Sequence, residues 1–477
     1  MSMTIKFGTD GWRGIIAQDF TFDNVRTCSQ AVADYLKQAG LDSRGLVIGY
    51  DNRFASEDFA QAAAEVVTAN GIKVYLSSKA TPTPVISFGV LTKKAGGAII
   101  ITASHNPAIW NGFKYKTEDG ASAPSEVTAQ IEKHLSRALM GKTKRLPLPQ
   151  ALDQGMVEHL DMAPIYVQQL AKLIDPKLMG KAKLKVVFDA MYGTGAGYLN
   201  QLLGGGAMEL KEINGERNPL FPGIQPEPIA ANLAKLSATV QKEKAAVGLA
   251  TDGDADRLGI VDENGKFITQ LQVFALLCLY LLEVRGERGA MVRTITSTTM
   301  IDRLGEIFNV PVYETAVGFK YVAPIMMEKD AIIGGEESGG YGFRGHMPER
   351  DGILAGIYFL DFMLQTGKTP SQLLDYLYSK VGPHYYQRRD FSFPKDQRQA
   401  ITKSVGDNLP QSIDGVKVTK INTSDGFHLT LADTSWLLIR FSGTEPVLRV
   451  YAESNSQARV EKLLEVGRKL AGGLEGG

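Results

Sequence analysis

Ser104 ends an apolar, β-branched run and opens the polar turn of ITASHNPAIWNGFKY (101–115), with His105 beside it and Lys114 ten residues on. A serine at the carboxyl end of a strand sits on the edge where α/β sheets bind ligands. As a nucleophile it needs a base. A sequence neighbour such as His105 is poorly placed for that, and no G-x-S-x-G elbow surrounds the serine. Read in isolation, Ser104 and Asn106 serve equally well to shape the turn before Pro107.

Asp252, Asp254 and Asp256 alternate with Gly253 and Ala255 in ATDGDADRLGIVDENG (250–265). In an extended or looped backbone this spacing brings three hard oxygen ligands towards a Mg²⁺- or Ca²⁺-like ion. An EF-hand loop opens the same way, and Glu263 falls at its twelfth position. Arg257, however, stands where that loop needs glycine, and both flanks read as strands. Carboxylates this close repel one another without a cation or an arginine among them, which favours a divalent site over a solvated turn.

Two further loops carry polar chemistry. IGGEESGGYGFRGHMPERDG (333–352) hinges Glu336, Glu337 and Ser338 between glycines. Such a loop lets backbone and carboxylates close on a polyhydroxyl ligand, although a plain surface loop has the same composition. IRFSGTEPVLRVYAE (439–453) offers Arg440, Ser442, the Gly443 and Thr444 backbone, and Arg449, either as a phosphate cradle or as an ordinary hairpin turn. A competing pattern is VVFDAMYGTGAGYL (186–199), with Gly193, Gly195, Gly197 and a later Glu212. Its G-x-G-x-G spacing is one residue short of the dinucleotide fingerprint, so a dinucleotide-dependent oxidoreductase is the alternative from another class.

The elements that must position these residues alternate. GLVIGYD (45–51), GIKVYLSS (71–78) and GAIIITAS (97–104) read as strands, and SEDFAQAAAEVVTAN (56–70) as a serine-capped helix between them. The rhythm resumes at AKLKVVFDA, KAAVGLATDGD, RLGIVDENGKF and GAMVRTITST. Pro-containing stretches near 141–155 and 381–395 read as linkers. The tail runs strand, strand, strand, strand, helix. The expected fold class is therefore α/β, with three similar mixed-sheet α/β domains and a smaller C-terminal α+β domain around a central cleft. Its expected divisions are 1–148, 149–256, 257–382 and 383–477, the motifs above falling one to each.

The 477 residues hold 52 basic and 52 acidic side chains. Zero net charge argues against bulk attraction to nucleic acid or an acidic membrane. Cys28 and Cys278 lie in periodic apolar segments and read as buried hydrophobes. MSMTIKFGTD has no signal-peptide pattern, and VFALLCLYLL (273–282) is too short to span a bilayer, so a buried core helix and a cytoplasmic protein are expected.

Taken together, FGTDGWRG, TASHNP, DGDADR, GEESGG and RFSGTEP, in this order along nearly the whole chain, resemble the α-D-phosphohexomutase family. The resemblance implies that Ser104 carries a phosphoryl group and that Mg²⁺ is held by Asp252, Asp254, Asp256 and a phosphoserine oxygen. It implies a hexose 1,6-bisphosphate as activator and intermediate, and a small-molecule sugar phosphate as substrate. Lys114 matches the general acid/base, a role suited by an ammonium pKa lowered by neighbouring cations. Arg13 and Arg257 match residues near the phosphoryl group, with His105 shaping the loop or touching phosphate. Gly318 and Lys320 in TAVGFK (315–320) match a substrate loop, Glu336 and Ser338 the sugar readers. Arg440, Ser442, Gly443 and Thr444 match the clamp on the non-reacting phosphate, with Arg449 beside them. GEES resembles the phosphoglucomutases. Glucosamine enzymes have Gln, and dual gluco/manno enzymes Met, after the first Glu, and both close the loop with His; here Glu337 and Gly340 stand there. His346 is the histidine available as a replacement. Glucose phosphate is the expected substrate, ahead of mannose or glucosamine phosphate or a hexose-bisphosphate synthase activity.

Overall fold

The computed structural model describes residues 5–8, 10–139, 141, 143–442 and 447–473, and folds them around four sheets. The first contains β1 (Trp12–Ile15), β2 (Leu46–Tyr50), β3 (Val74–Ser77), β4 (Ala98–Ile101), β5 (Trp110–Lys116) and β6 (Val157–Leu160), in the order β1-β5-β4-β2-β3-β6. The second contains β7 (Lys185–Asp189), β8 (Glu209–Ile213), β9 (Val247–Thr251), β10 (Leu258–Val261) and β11 (Phe267–Ile268), in the order β11-β10-β9-β7-β8. The third contains β12 (Met291–Thr294), β13 (Val312–Thr315), β14 (Ile333–Gly335) and β15 (Tyr341–Phe343), in the order β13-β12-β14-β15.

The same four-strand core recurs in all three. Three parallel strands are followed at one edge by an antiparallel partner: β5 on β4, β10 on β9, β15 on β14. The turn into that partner is the one that carries Ser104, the three aspartates and Glu336 in turn. A parallel strand buried on both faces reads as a continuous apolar run, as AIII, VGLAT and VFD do here. The polar residues are therefore confined to the strand ends, where the turns begin.

The fourth sheet is wholly antiparallel: β16 (Tyr385–Ser392), β17 (Ser412–Ile413), β18 (Val416–Asn422), β19 (Phe427–Leu431), β20 (Trp436–Phe441) and β21 (Val447–Ser454), ordered β16-β21-β20-β19-β18-β17. Helix Gln457–Leu470 packs across it. One apolar core runs continuously through the first three units, whereas the fourth has its own. The VFALLCLYLL run lies in that shared core as helix Gln270–Leu279 and one π-helical turn, Tyr280–Val284. Among the described residues no helix is long and apolar enough to cross a membrane. Both cysteines are free and buried.

Four local expectations are corrected. Residues 385–392 are not linker but strand β16, fully paired with β21. Within 141–155, Leu148–Asp153 is a helix whose Ala151 is buried against the first unit. The first two sheets also run past residues 148 and 256, since β6 pairs with β3 and β10 with β9. Finally, Ser56 does not cap its helix; its hydroxyl donates to Asp51 Oδ1 at 2.8 Å.

Candidate active site

Ser104 is buried and has φ of +51°, a left-handed conformation rarely adopted outside glycine. Strain of this kind persists only where the surroundings enforce it. Here the enforcement comes from Arg53, a residue that the sequence patterns do not single out. Its guanidinium is fully buried and donates to four carbonyls of the loop: Ser104 (2.7 Å), Asn106 (2.6 Å), Pro107 (2.9 Å) and Trp110 (3.0 Å). Asp51 holds Arg53 at 3.2 Å, and accepts from Thr102 and Ser56. Arg13 donates to Asn106 Oδ1 on the same loop. Ser104 Oγ is thereby aimed at the second unit, donating to Asp252 Oδ2 at 2.7 Å. His105 Nδ1 is 3.3 Å from Ser104 Oγ, but its other nitrogen lies 3.9 Å from Glu227, too far for a hydrogen bond. Burial, with Arg257, Arg13, Lys114 and Arg53 nearby, holds its pKa well below the ordinary histidine value. It sits in the wall of a cationic pocket, and the geometry does not form a triad.

The three aspartates are all buried and offer oxygens within 4.8 Å of one another. Burial and the charges of Asp254 and Asp256 push Asp252 well above the usual carboxylate range. Asp254 Oδ1 and Asp256 Oδ1 are buried without a hydrogen-bond partner. Orphaned carboxylate oxygens that converge this tightly suit a hard divalent cation, so the donor set fits Mg²⁺. Gly253 is required by close approach: a Cβ there would lie 2.5 Å from the Ser104 carbonyl. Arg257 gives its backbone N–H to Asp252 Oδ1 at 3.1 Å and its side chain to Glu227 at 3.2 Å.

Lys114 overturns an expectation. Its Nζ lies 2.8 Å from Asp10, 2.9 Å from Asp254 and 3.5 Å from Asp256. Burial opposes its charge, but Asp10, Asp254 and Asp256 outweigh this and hold the ammonium well above the ordinary lysine value. Arg350 is close as well, but the carboxylates outweigh it, and the shift is upward instead of downward.

Glu336 is buried, its Oε2 accepting from Arg350 at 3.2 Å. Arg350, inside the 333–352 stretch, is the other residue that the sequence patterns do not single out. It links four carboxylates from three units: Glu336, Glu349 (3.3 Å), Asp256 (2.8 Å) and Asp10 (2.8 Å). A Cβ at Gly340 would lie 2.3 Å from Arg350 Cδ, so the arginine stem runs across the position where a histidine is expected in related loops. His346 does not replace that histidine. It is buried, 2.9 Å from Asp351 and stacked on Phe88, where it fixes the start of helix Gly352–Thr366. Ser338 lies partly exposed in the same turn as Glu336. Gly318 has a φ of +128° at the start of helix Phe319–Glu328, and Lys320 lies over the Tyr321 ring.

Arg440 and Arg449 face one another across β20 and β21. Like charges directly opposite on a sheet are unfavourable unless an anion shares them. Asp425 lies 3.0 Å from Arg440 and Asp390 3.6 Å from Arg449. Ser442 continues the hairpin through a backbone bond to Val447. Gly443 and Thr444 lie outside the described residues. These groups are set in the fourth unit, apart from the charge network around Ser104.

The glycine-rich turn after β7 is filled by protein. A Cβ at Gly193 would lie 2.7 Å from the Asp252 carbonyl, and one at Gly195 2.4 Å from Thr251 Oγ1. Glu212 accepts from the Gly197 N–H at 2.8 Å, where a dinucleotide phosphate would have to sit. The glycines admit the aspartate loop, which removes the oxidoreductase alternative.

Comparison with known proteins agrees with this reading. Residues 4–140, 164–265 and 270–381 match the phosphoglucomutase/phosphomannomutase α/β/α domains I, II and III, and 399–468 the C-terminal domain of that family. A phosphoglucomutase/phosphomannomutase from Thermococcus kodakarensis is 31% identical over 97% of this chain and 98% of its own. A Methanosphaera stadtmanae protein ascribed to the phosphoglucosamine mutases is 29% identical over 96% of each. A Thermus thermophilus crystal structure ascribed to a phosphomannomutase has a TM-score of 0.85 and 34% identity, covering 99% of this chain and 100% of that one.

Proposed function

Because the chain belongs to the phosphoglucomutase/phosphomannomutase family, we propose that it interconverts hexose 1-phosphate and hexose 6-phosphate, glucose first, through phospho-Ser104. The observation that carries this is Ser104 itself: a strained, buried hydroxyl bonded to Asp252, its carbonyl held by Arg53, and its neighbour His105 set among Arg257, Arg13 and Arg53. Phosphoryl transfer asks for little covalent chemistry from a protein and much positioning and charge.

In the forward half, the bond from Ser104 Oγ to phosphorus breaks as one forms to the free sugar hydroxyl, giving hexose 1,6-bisphosphate. The intermediate turns over in the cleft, and its other phosphate returns to Ser104. Asp252, Asp254 and Asp256, with a phosphoserine oxygen, would hold Mg²⁺, which when bound supplies positive charge to the transferring group. The attacking sugar hydroxyl loses its proton as the departing serine oxygen gains one. Lys114, kept protonated by its three carboxylates, gives its proton to the serine oxygen and is restored by the one the sugar hydroxyl releases. Arg13 and Arg257 bind the transferring phosphoryl group, Glu336 and Ser338 read sugar hydroxyls, and Gly318 with Lys320 adds a substrate contact. Arg440, Ser442, Gly443, Thr444 and Arg449 clamp the stationary phosphate. A cytoplasmic sugar-phosphate enzyme without nucleic-acid or membrane partners accords with the neutral composition. The four units are best divided after Leu160 and Ile268, where the first two sheets end, and near residue 382.

A coupled assay from glucose 1-phosphate to glucose 6-phosphate, with Mg²⁺ and a trace of glucose 1,6-bisphosphate, tests the proposal. Mannose 1-phosphate and glucosamine 1-phosphate run in parallel and rank the sugars. One hydroxyl or amine separates them, so preference of about 1–3 kcal/mol is expected. Turnover lost in Ser104→Ala supports the reading. Inertness towards all three sugars, or full activity without the serine, sinks it.

A further inference from the structure

The turn after β14 carries three polar side chains, and they go to different places. Glu336 is turned to Arg350 inside the cleft, and Ser338 lies partly exposed beside it. Glu337 instead reaches the fourth unit: its Oε1 accepts from the Tyr386 hydroxyl at 3.0 Å, with the Arg388 guanidinium 3.7 Å away. Both partners lie on β16. The Tyr386 ring is itself anchored, packing on Trp436 and Tyr451 in a small apolar seam that also includes Ile295 and Val317 of the third unit. A second carboxylate makes a parallel link. Asp425, from the fourth unit, accepts from the Val317 N–H at 3.0 Å while pairing with Arg440. Each of the two loops that present substrate groups in the third unit is thus tied to the sheet bearing the arginine pair.

We propose that Glu337 is a positioning residue, which fixes the 336–339 turn to the C-terminal unit through Tyr386, so that Glu336 and Ser338 take up their working geometry only when that unit is docked. This rests on the assignment of Glu336 and Ser338 to the sugar hydroxyls. The side chain at 337 then couples the unit that grips the phosphate to the loop that reads the sugar, without touching the sugar.

Tyr386→Phe, which deletes one hydroxyl from a packed ring, Glu337→Ala, which deletes the acceptor, and the two together test this by hydrogen–deuterium exchange and by steady-state kinetics. Exchange across 336–343 is expected to rise about tenfold in either single variant, because the turn is released from its anchor. KM for glucose 1-phosphate is expected to rise about fivefold with kcat within about twofold, and the double variant to match either single one. The ratio of glucose to glucosamine 1-phosphate turnover stays unchanged throughout. Unchanged exchange overturns the proposal, as does an additive double variant. A change of sugar ratio in Glu337→Ala that Tyr386→Phe does not share also overturns it, because residue 337 would then be reading the sugar. If the parent protein turns over no sugar phosphate, the mutase reading fails, while the exchange measurement still decides whether Glu337 anchors the turn.

Discussion

Replacing Arg53 by methionine keeps the apolar stem and deletes the guanidinium that donates to the carbonyls of Ser104, Asn106, Pro107 and Trp110. Summed as separate charge-assisted bonds, four losses at about 1.5–3 kcal/mol each would exceed any plausible cost. The loop rim is partly exposed, however, and water can take over at Asn106 and Pro107. Asp51 also loses its counter-ion but keeps the Thr102 and Ser56 hydroxyls and the backbone N–H of residue 53. Breaking a buried ion pair of this kind costs about 3–5 kcal/mol, and that is the expected destabilisation. In thermal unfolding the first transition should fall by roughly 10 °C.

Activity should suffer more than stability explains. Arg53 holds the carbonyl of Ser104, the residue proposed to react, and a displacement of about 1 Å costs on the order of a hundredfold in rate. Arg53→Lys keeps the charge but not the planar fork, so about half of the stability loss and most of the activity loss should remain. Adding Asp51→Asn to Arg53→Met removes the stranded charge and should recover about 1–2 kcal/mol of stability with no recovery of turnover. The reasoning is refuted if Arg53→Met melts within about 2 °C of the parent and keeps kcat/KM within about threefold, the behaviour of an ordinary surface substitution.

Three other outcomes follow from the same structure. Asp252→Asn relieves repulsion among three buried carboxylates, so without magnesium it should melt no lower than the parent. It should also forfeit most of the stabilisation that saturating Mg²⁺ gives the parent, about 2.7 kcal/mol at a hundred times Kd, as read by differential scanning fluorimetry. Gly253→Ala forces a methyl onto the Ser104 carbonyl and should cost about 1–3 kcal/mol by urea unfolding, with turnover falling well below that of a neutral variant. His428 is pushed down to about 4, chiefly by burial and secondly by Arg293 and Lys420 against the pull of Glu314. Its neutral form is the folded one, so stability is full above pH 6.5, the ordinary value, and falls as pH drops through the window to 4, by up to about 3 kcal/mol. His428→Phe should flatten that slope for the C-terminal unit, and an unchanged slope would remove the histidine from the account.

What can be read from the sequence is set by locality. The strand runs around 45–51, 97–104 and 244–254 announce themselves because a doubly covered strand must be apolar throughout, and the turn residues stand out against them. Ser104, the aspartates and Glu336 are legible for this reason, since each lies where an apolar run ends. The 381–395 stretch reads as linker because β16 is an edge strand, with residues such as Gln387, Arg388 and Asp390 on it, and gives no apolar run. Arg53 and Arg350 give no local signal at all. Each is one arginine among 52 basic residues, and what sets it apart from the rest is its distant partner: Ser104 for Arg53, 51 residues away, and Asp10 for Arg350, 340 residues away.

The reversal at Lys114 has the same origin and shows what the site needs. Family resemblance places Arg13 and Arg257 near the phosphoryl group, which suggests a lysine among cations. In the fold those arginines gather around His105, and Lys114 is turned to Asp10, Asp254 and Asp256. Two opposite environments are thus built a few ångströms apart. A cationic wall faces His105 and an anionic pocket faces the lysine; in the proposed reaction the first would hold phosphate oxygens and the second a proton. Separating them requires residues from three units, with Arg350 bridging Asp10, Asp256 and Glu336 so that the carboxylates do not repel the units apart. The same hairpin turn recurs in all three sheets, and each sheet delivers one polar turn to this common point.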